Sequence, residues 1–91
     1  MSVRWTLAAA NDLEQIAGYL KEHHPEFADR TVHSLYEAAE SLTRFPNRGR
    51  PGRHPGTREL VVGRIPYVII YAQNDQAVWI ARVLHTARVR T

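Results

Sequence analysis

The side chains with chemistry to offer are arginines and histidines in the second half of the chain. Arg48, Arg50, Arg53 and His54 lie within a stretch rich in proline and glycine, Pro46 to Thr57. Arg58 opens an apolar run, Arg64 sits in a turn, Arg82 and His85 close the last apolar run, and Arg88 and Arg90 follow. Arg64, Tyr67, Arg82, His85 and Arg88, which can gather as one cluster, hold the parts for metal-free RNA cleavage: a base for the 2′-hydroxyl, guanidinium groups for the phosphorane charge, and an acid for the leaving group. The same parts make a plain anion-binding patch, and one histidine among arginines is compatible with either. His23 and His24 are adjacent and point apart, so they read as a polar helix end; His33 reads as solvated surface, as do the helix carboxylates.

The charge distribution points the same way. Met1 to Phe45 carries four basic and seven acidic residues, net −3, whereas Pro46 to Thr91 carries eight basic and two acidic, net +6. Eleven of the twelve basic residues are arginine, whose planar fork suits phosphate and carboxylate. A high-GC genome would account for arginine over lysine but not for the clustering, which suggests an anionic partner, either nucleic acid or an acidic protein surface.

Elements must hold these groups in place, and 91 residues make one domain, 1–91, too short for a Rossmann fold or a TIM barrel. With no cysteine there is no disulfide framework and no thiol nucleophile. The wholly apolar run Val68 to Ala72 is far short of a membrane span, so the expectation is a soluble cytoplasmic domain. No P-loop, H-E-x-x-H or G-x-S-x-G occurs; no cofactor, metal or small-molecule substrate is expected.

Val3 and Trp5 alternate as in a short strand, and Thr6 can cap a helix starting near Leu7. Leu13, Ile16, Ala17 and Leu20 form its apolar stripe, and Gly18 would admit a close neighbour. Pro25 suits the first turn of a second helix, whose stripe is Ala28, Val32, Leu35, Ala39 and Leu42. A connection this short predicts an antiparallel hairpin. Pro46 to Thr57 is predicted to be loop throughout. Three strands follow, Arg58–Val62, Tyr67–Ala72 and Ala77–Leu84, as an antiparallel meander, giving an α+β fold in the order β-α-α-β-β-β. The middle strand is apolar on both faces, so its second face also needs cover. The meander brings Arg64, Tyr67, Arg82, His85 and Arg88 to one end and leaves Arg58 toward the other, unless the proline-glycine loop folds across. His85 to Thr91 reads as a short basic tail without a packing signal.

Three segments, Gly49-Arg50-Pro51-Gly52-Arg53-His54-Pro55-Gly56-Thr57-Arg58-Glu59-Leu60, then Pro66 to Tyr71, then Arg82-Val83-Leu84-His85-Thr86-Ala87-Arg88, resemble the ParE branch of the RelE/ParE toxins. The resemblance covers nearly the whole chain. It implies the toxin of a type II toxin–antitoxin pair serving plasmid stabilisation, neutralised by a cognate antitoxin whose C-terminal helix and extended segment wrap it. ParE-like toxins act on DNA gyrase and block replication; RelE-like toxins cleave mRNA on the ribosome. RelE-type nucleases have an arginine in a Y-R-L-V-Y pattern, where this chain has Val68, and they often carry several lysines where this chain has only Lys21. His85 matches a histidine that is a general acid in some nuclease relatives and is shared by ParE-like ones.

The expectation is therefore a gyrase inhibitor contacting its target through Arg50, Arg53, Arg58, Arg64, Tyr67, Arg82, His85 and Arg88. The alternative is an mRNA endonuclease acting on the ribosome through His85 with Arg58, Arg64 or Arg82. A third reading is a degenerate toxin that only binds antitoxin.

Overall fold

The structure, a computed structural model, describes residues 1–89; Arg90, placed in the basic tail from the sequence, lies outside the described residues. In chain order the elements are β1 (Ser2–Trp5), α1 (Leu7–His23), α2 (Pro25–Ser41), β2 (Arg50–Pro51), β3 (Arg58–Val61), β4 (Tyr67–Gln73), β5 (Ala77–His85) and a single 3-10 turn, Thr86–Arg88. The strands form one mixed sheet in the order β1-β5-β4-β3-β2. The meander is antiparallel as expected, while β1 adds parallel to β5, Ser2 opposite Ala77 and Trp5 opposite Ile80.

Two expectations about the second half of the chain need correcting. The proline-glycine stretch is not all loop: Arg50 and Pro51 pair with Glu59 and Arg58. Proline is tolerated there because β2 is an edge strand, where a missing N–H costs no ladder bond. The segment after β5 is not a structureless tail either, since Thr86–Arg88 makes its turn and the Thr86 N–H donates to Pro66 O at 2.9 Å.

Thr6 joins β1 to α1. Its Oγ1 accepts the Ala9 N–H, capping the helix, and its hydroxyl donates to the carbonyls of Ile80 (3.1 Å) and Ala81 (3.0 Å). The core forms where the helix stripes meet one sheet face: Leu13, Leu35, Ala39 and Leu42 pack with Leu60, Ile69, Tyr71, Val78, Ile80 and Val83. Full burial of each large side chain contributes about 1.5–3 kcal/mol. Gly18 does not admit a neighbour: it is exposed, with open space where a Cβ would stand.

Opposite partners share a face, so Glu59, Val61, Val68, Ile70, Arg82 and Leu84 belong to the face turned from the helices. Ala81 is the extra residue of a bulge, since Ile70 pairs with Arg82 and Tyr71 with Ile80. Val68, on this second face, is only 1% exposed. Part of the cover is internal. The Arg53 N–H donates to Glu59 Oε2 at 3.1 Å, and the Arg53 guanidinium donates to the Val89 carbonyl, so the proline-glycine loop reaches the segment after β5.

Candidate functional site

Between the helix hairpin and the β3–β4 end of the sheet lies an open groove of about 1150 Å³. Its floor is apolar, with Ile16 and Leu20 from α1, Phe27 from α2, and Ile65, Tyr67 and Val83 from the sheet side. Around it stand four arginines: Arg30 from α2, Arg48 from the loop after α2, Arg64 from the β3–β4 turn, and Arg88 from the 3-10 turn. Two carboxylates line it, Asp12 and Glu37. The Asp12 carboxylate is bound by Arg82, and Glu37 lies 3.4 Å from the His33 imidazole. The groove is thus amphipathic and predominantly cationic.

Local structure sets each group. Gly63 takes φ +52°, a backbone conformation that glycine adopts readily, and so turns β3 into β4 with Arg64 at the apex. Tyr67 and His85 are register partners on β4 and β5, their rings edge to face at 5.6 Å. Burial, with the neighbouring Tyr19 phenol, pushes the Tyr67 hydroxyl above its ordinary value, so it remains a neutral hydrogen-bonding group. His85 precedes the 3-10 turn and caps it: Nδ1 accepts the Ala87 N–H at 3.1 Å. Arg48 donates to Ser41 Oγ at 2.7 Å, and Arg30 lies over the Phe27 ring at 5.3 Å.

Of the residues of the basic half singled out from sequence, the groove brings together Arg48, Arg64, Tyr67, His85 and Arg88. Arg82, expected in the same cluster, is half-exposed and bound to Asp12. Arg58 lies at the other end, as the meander predicts, opposite Tyr71, donating to Gly49 O at 2.7 Å. Arg50 pairs with the buried Glu59 at 3.3 Å, and Arg53 is engaged by Val89 and Glu59.

Reading all helix carboxylates as solvated was wrong for Asp12, which is 8% exposed. Burial alone would raise its carboxyl, but the Arg82 hydrogen bond, the Val83 N–H and the charges of Arg82 and Arg88 outweigh that and hold it below the ordinary value. The signal was available: Asp12, Ile16 and Tyr19 fall at i, i+4 and i+7, one face of α1 that lines the groove. Tyr19, Phe27 and Arg30 were also missed, because a half-exposed aromatic on a helix carries no mark of a groove beside it. Among the described residues no group of three metal-ligating side chains is assembled, and no helix is long and apolar enough to cross a membrane.

Residues 3–90 match the family described as the ParE toxin of the type II toxin–antitoxin system parDE. Toxin RelE2 of Caulobacter vibrioides is 42% identical over 87 residues, covering 96% of this chain and 97% of the relative. Toxin RelE1 of the same organism is 34% identical over 82 residues, covering 88% and 87%. Among solved structures, the chromosomal ParDE system from P. aeruginosa superposes with a TM-score of 0.83 at 30% identity, covering 93% of this chain and 95% of the other. The toxin–antitoxin complex RelBE2 from Mycobacterium tuberculosis gives 0.67 at 29%, covering 92% and 95%.

Proposed function

We propose, on the premise that this chain belongs to the ParE toxin family of type II toxin–antitoxin systems, that it acts by stoichiometric binding of DNA gyrase and performs no chemistry of its own. The observation that supports binding over catalysis is that, of the groups a nuclease would use, only Arg64 stands beside His85 in the groove, while the others are apart or already engaged. Arg58 is bound to Gly49 at one end of the sheet, Arg82 is held by Asp12, and the Nδ1 of His85 caps a turn. Val68, buried in the sheet, stands where the nuclease pattern has an arginine, and an isopropyl group offers nothing to a phosphate.

The groove supports a cognate antitoxin as the neutralising partner. An amphipathic acidic segment fits it on both counts, apolar side chains against Ile16, Leu20 and Phe27, carboxylates against Arg30, Arg64 and Arg88. Gyrase as target places the protein in the cytoplasm, and pairing with an antitoxin suits a role in plasmid stabilisation.

Supercoiling by purified gyrase tests the reading. Equimolar protein is expected to inhibit it, and the Arg64→Ala/Arg88→Ala double variant to inhibit at least tenfold less, as expected for about 1.4 kcal/mol or more of lost binding. No inhibition at stoichiometric protein overturns it. A second reading, cleavage of ribosome-bound mRNA, draws on the relatives named RelE. Transcript cuts that vanish in His85→Ala would establish it. Unchanged growth on expression without antitoxin would leave only the antitoxin-binding role.

A further inference from the structure

We infer that the outer face of the sheet, centred on Trp79 and Arg4, is a second surface by which the chain holds its target, docking there on an acidic surface of the target protein. Register places the residues. Arg4 stands opposite Trp79, and Trp79 opposite Ala72. Ala72 is two residues along β4 from Ile70, so all three share the face turned from the helices. Arg82, Ile70, Glu59 and Arg50 cross that face as the next row, one each from β5, β4, β3 and β2. Leu84, Val68 and Val61 make a third row. Trp79 is 40% exposed and Val61 47%, with Ala72, Ile70 and Leu84 half-buried between them. Trp79 is no part of the core cluster. Its indole lies instead beneath the Arg4 guanidinium, 6.0 Å from the ring centroid. Tryptophan and arginine are the side chains on which binding energy at protein interfaces concentrates.

The face is apolar at its centre and cationic at its margin. Among its described strand residues the single carboxylate is Glu59, which is buried and taken up by Arg50 at 3.3 Å and by the Arg53 N–H. No exposed anion is left there to repel an acidic partner, and Arg4, exposed on the outermost strand, enters none of the ion pairs among the described residues. The same charges favour protein over nucleic acid. Of the arginines on or above the face, Arg50 and Arg82 are already neutralised by Glu59 and Asp12, which leaves Arg4 and Arg53. A salt-sensitive DNA-binding protein neutralises roughly 6–10 phosphates. Few uncompensated cations around an indole and branched aliphatic side chains are the make-up of a protein interface, an apolar centre with a charged rim. The groove opens on the helix side of the sheet, so the two surfaces are separate.

The identity of the target rests on the gyrase reading above, and the experiment separates the two. Supercoiling by purified gyrase is measured with wild type, Trp79→Thr and Arg4→Glu. Threonine keeps the strand preference, Arg4 is exposed, and a circular-dichroism melt confirms that each variant is folded. Each is expected to need at least about tenfold more protein for half-inhibition, and added salt should weaken the wild type more than Arg4→Glu. Wild-type inhibition undiminished in both variants overturns the inference and leaves the gyrase reading standing; no inhibition by the wild type overturns both. Two other occupants have their own arms. Fluorescence anisotropy with labelled oligo(dT) assigns the face to nucleic acid if wild-type binding is lost in Trp79→Thr. Sedimentation equilibrium assigns it to a second copy if a wild-type dimer becomes a monomer in Trp79→Thr. Either result overturns the inference.

Discussion

Asp12 and Arg82, seventy residues apart in the chain, meet in a two-point ion pair, Nε to Oδ2 at 2.7 Å and Nη2 to Oδ1 at 2.9 Å. The same Oδ2 accepts the Val83 N–H at 3.0 Å. β1 ends opposite Ile80, so beyond that point β5 has no neighbouring strand on its outer side. A carboxylate from α1 stands in for the missing carbonyls and closes the edge. Asp12→Ala leaves the Val83 N–H unsatisfied and the guanidinium unpaired, a cost of about 2 kcal/mol. For a domain this small that lowers Tm by about 10 °C, measured by thermal unfolding followed by circular dichroism.

The same pair sets a pH dependence. The folded Asp12 carboxyl lies below its unfolded value of about 3.9. Its contribution is therefore fully present above the unfolded value and is lost as pH falls through the lower, folded one. Urea unfolding at a series of pH values below about 5 should show the wild type losing stability more steeply than Asp12→Asn, which has no carboxylate to protonate. Parallel curves would contradict the assignment.

The Tyr71 hydroxyl bridges two backbone groups of the segment after α2, donating to Pro46 O at 2.6 Å and accepting from Gly49 N at 2.9 Å. That bridge fixes the loop bearing Arg48. Tyr71→Phe keeps the ring in the core but strips both partners, costing about 1–3 kcal/mol. Chemical denaturation should read this as a lower midpoint with an unchanged slope.

Two glycines make opposite predictions under the same substitution. A Cβ on Gly49 would stand 2.9 Å from Glu59 O, Tyr71 Cε1 and the Tyr71 hydroxyl, so Gly49→Ala destabilises by about 1–3 kcal/mol. Gly18 lies mid-helix with open space around it, so Gly18→Ala stabilises by about 0.5–1 kcal/mol. Paired melting curves check both signs at once.

The fold was legible where periodicity and punctuation agree. The stripes of α1 and α2, Thr6 as a cap, Pro25 at a helix start and the β-branched meander each pointed to one answer. What escaped depended on distant partners. Arg50 and Pro51 become a strand only because Glu59 and Arg58 offer an edge. Asp12 looked like any helix carboxylate until Arg82 and the open edge of β5 came alongside. The site divides in the same way. Strand alternation was enough to join Arg64, Tyr67, His85 and Arg88, whereas the side-chain commitments of Arg82, Arg58 and Arg50 could not be read from spacing.

β1 has its partner at the far end of the chain, Ser2 beside Ala77 and Trp5 beside Ile80. During synthesis the opening strand must wait for the last one to leave the ribosome before the sheet can close, and pairings across such separations form slowly. Arg88, which lines the groove, emerges later still. Until β5 and the turn after it are available, the groove lacks one of its walls.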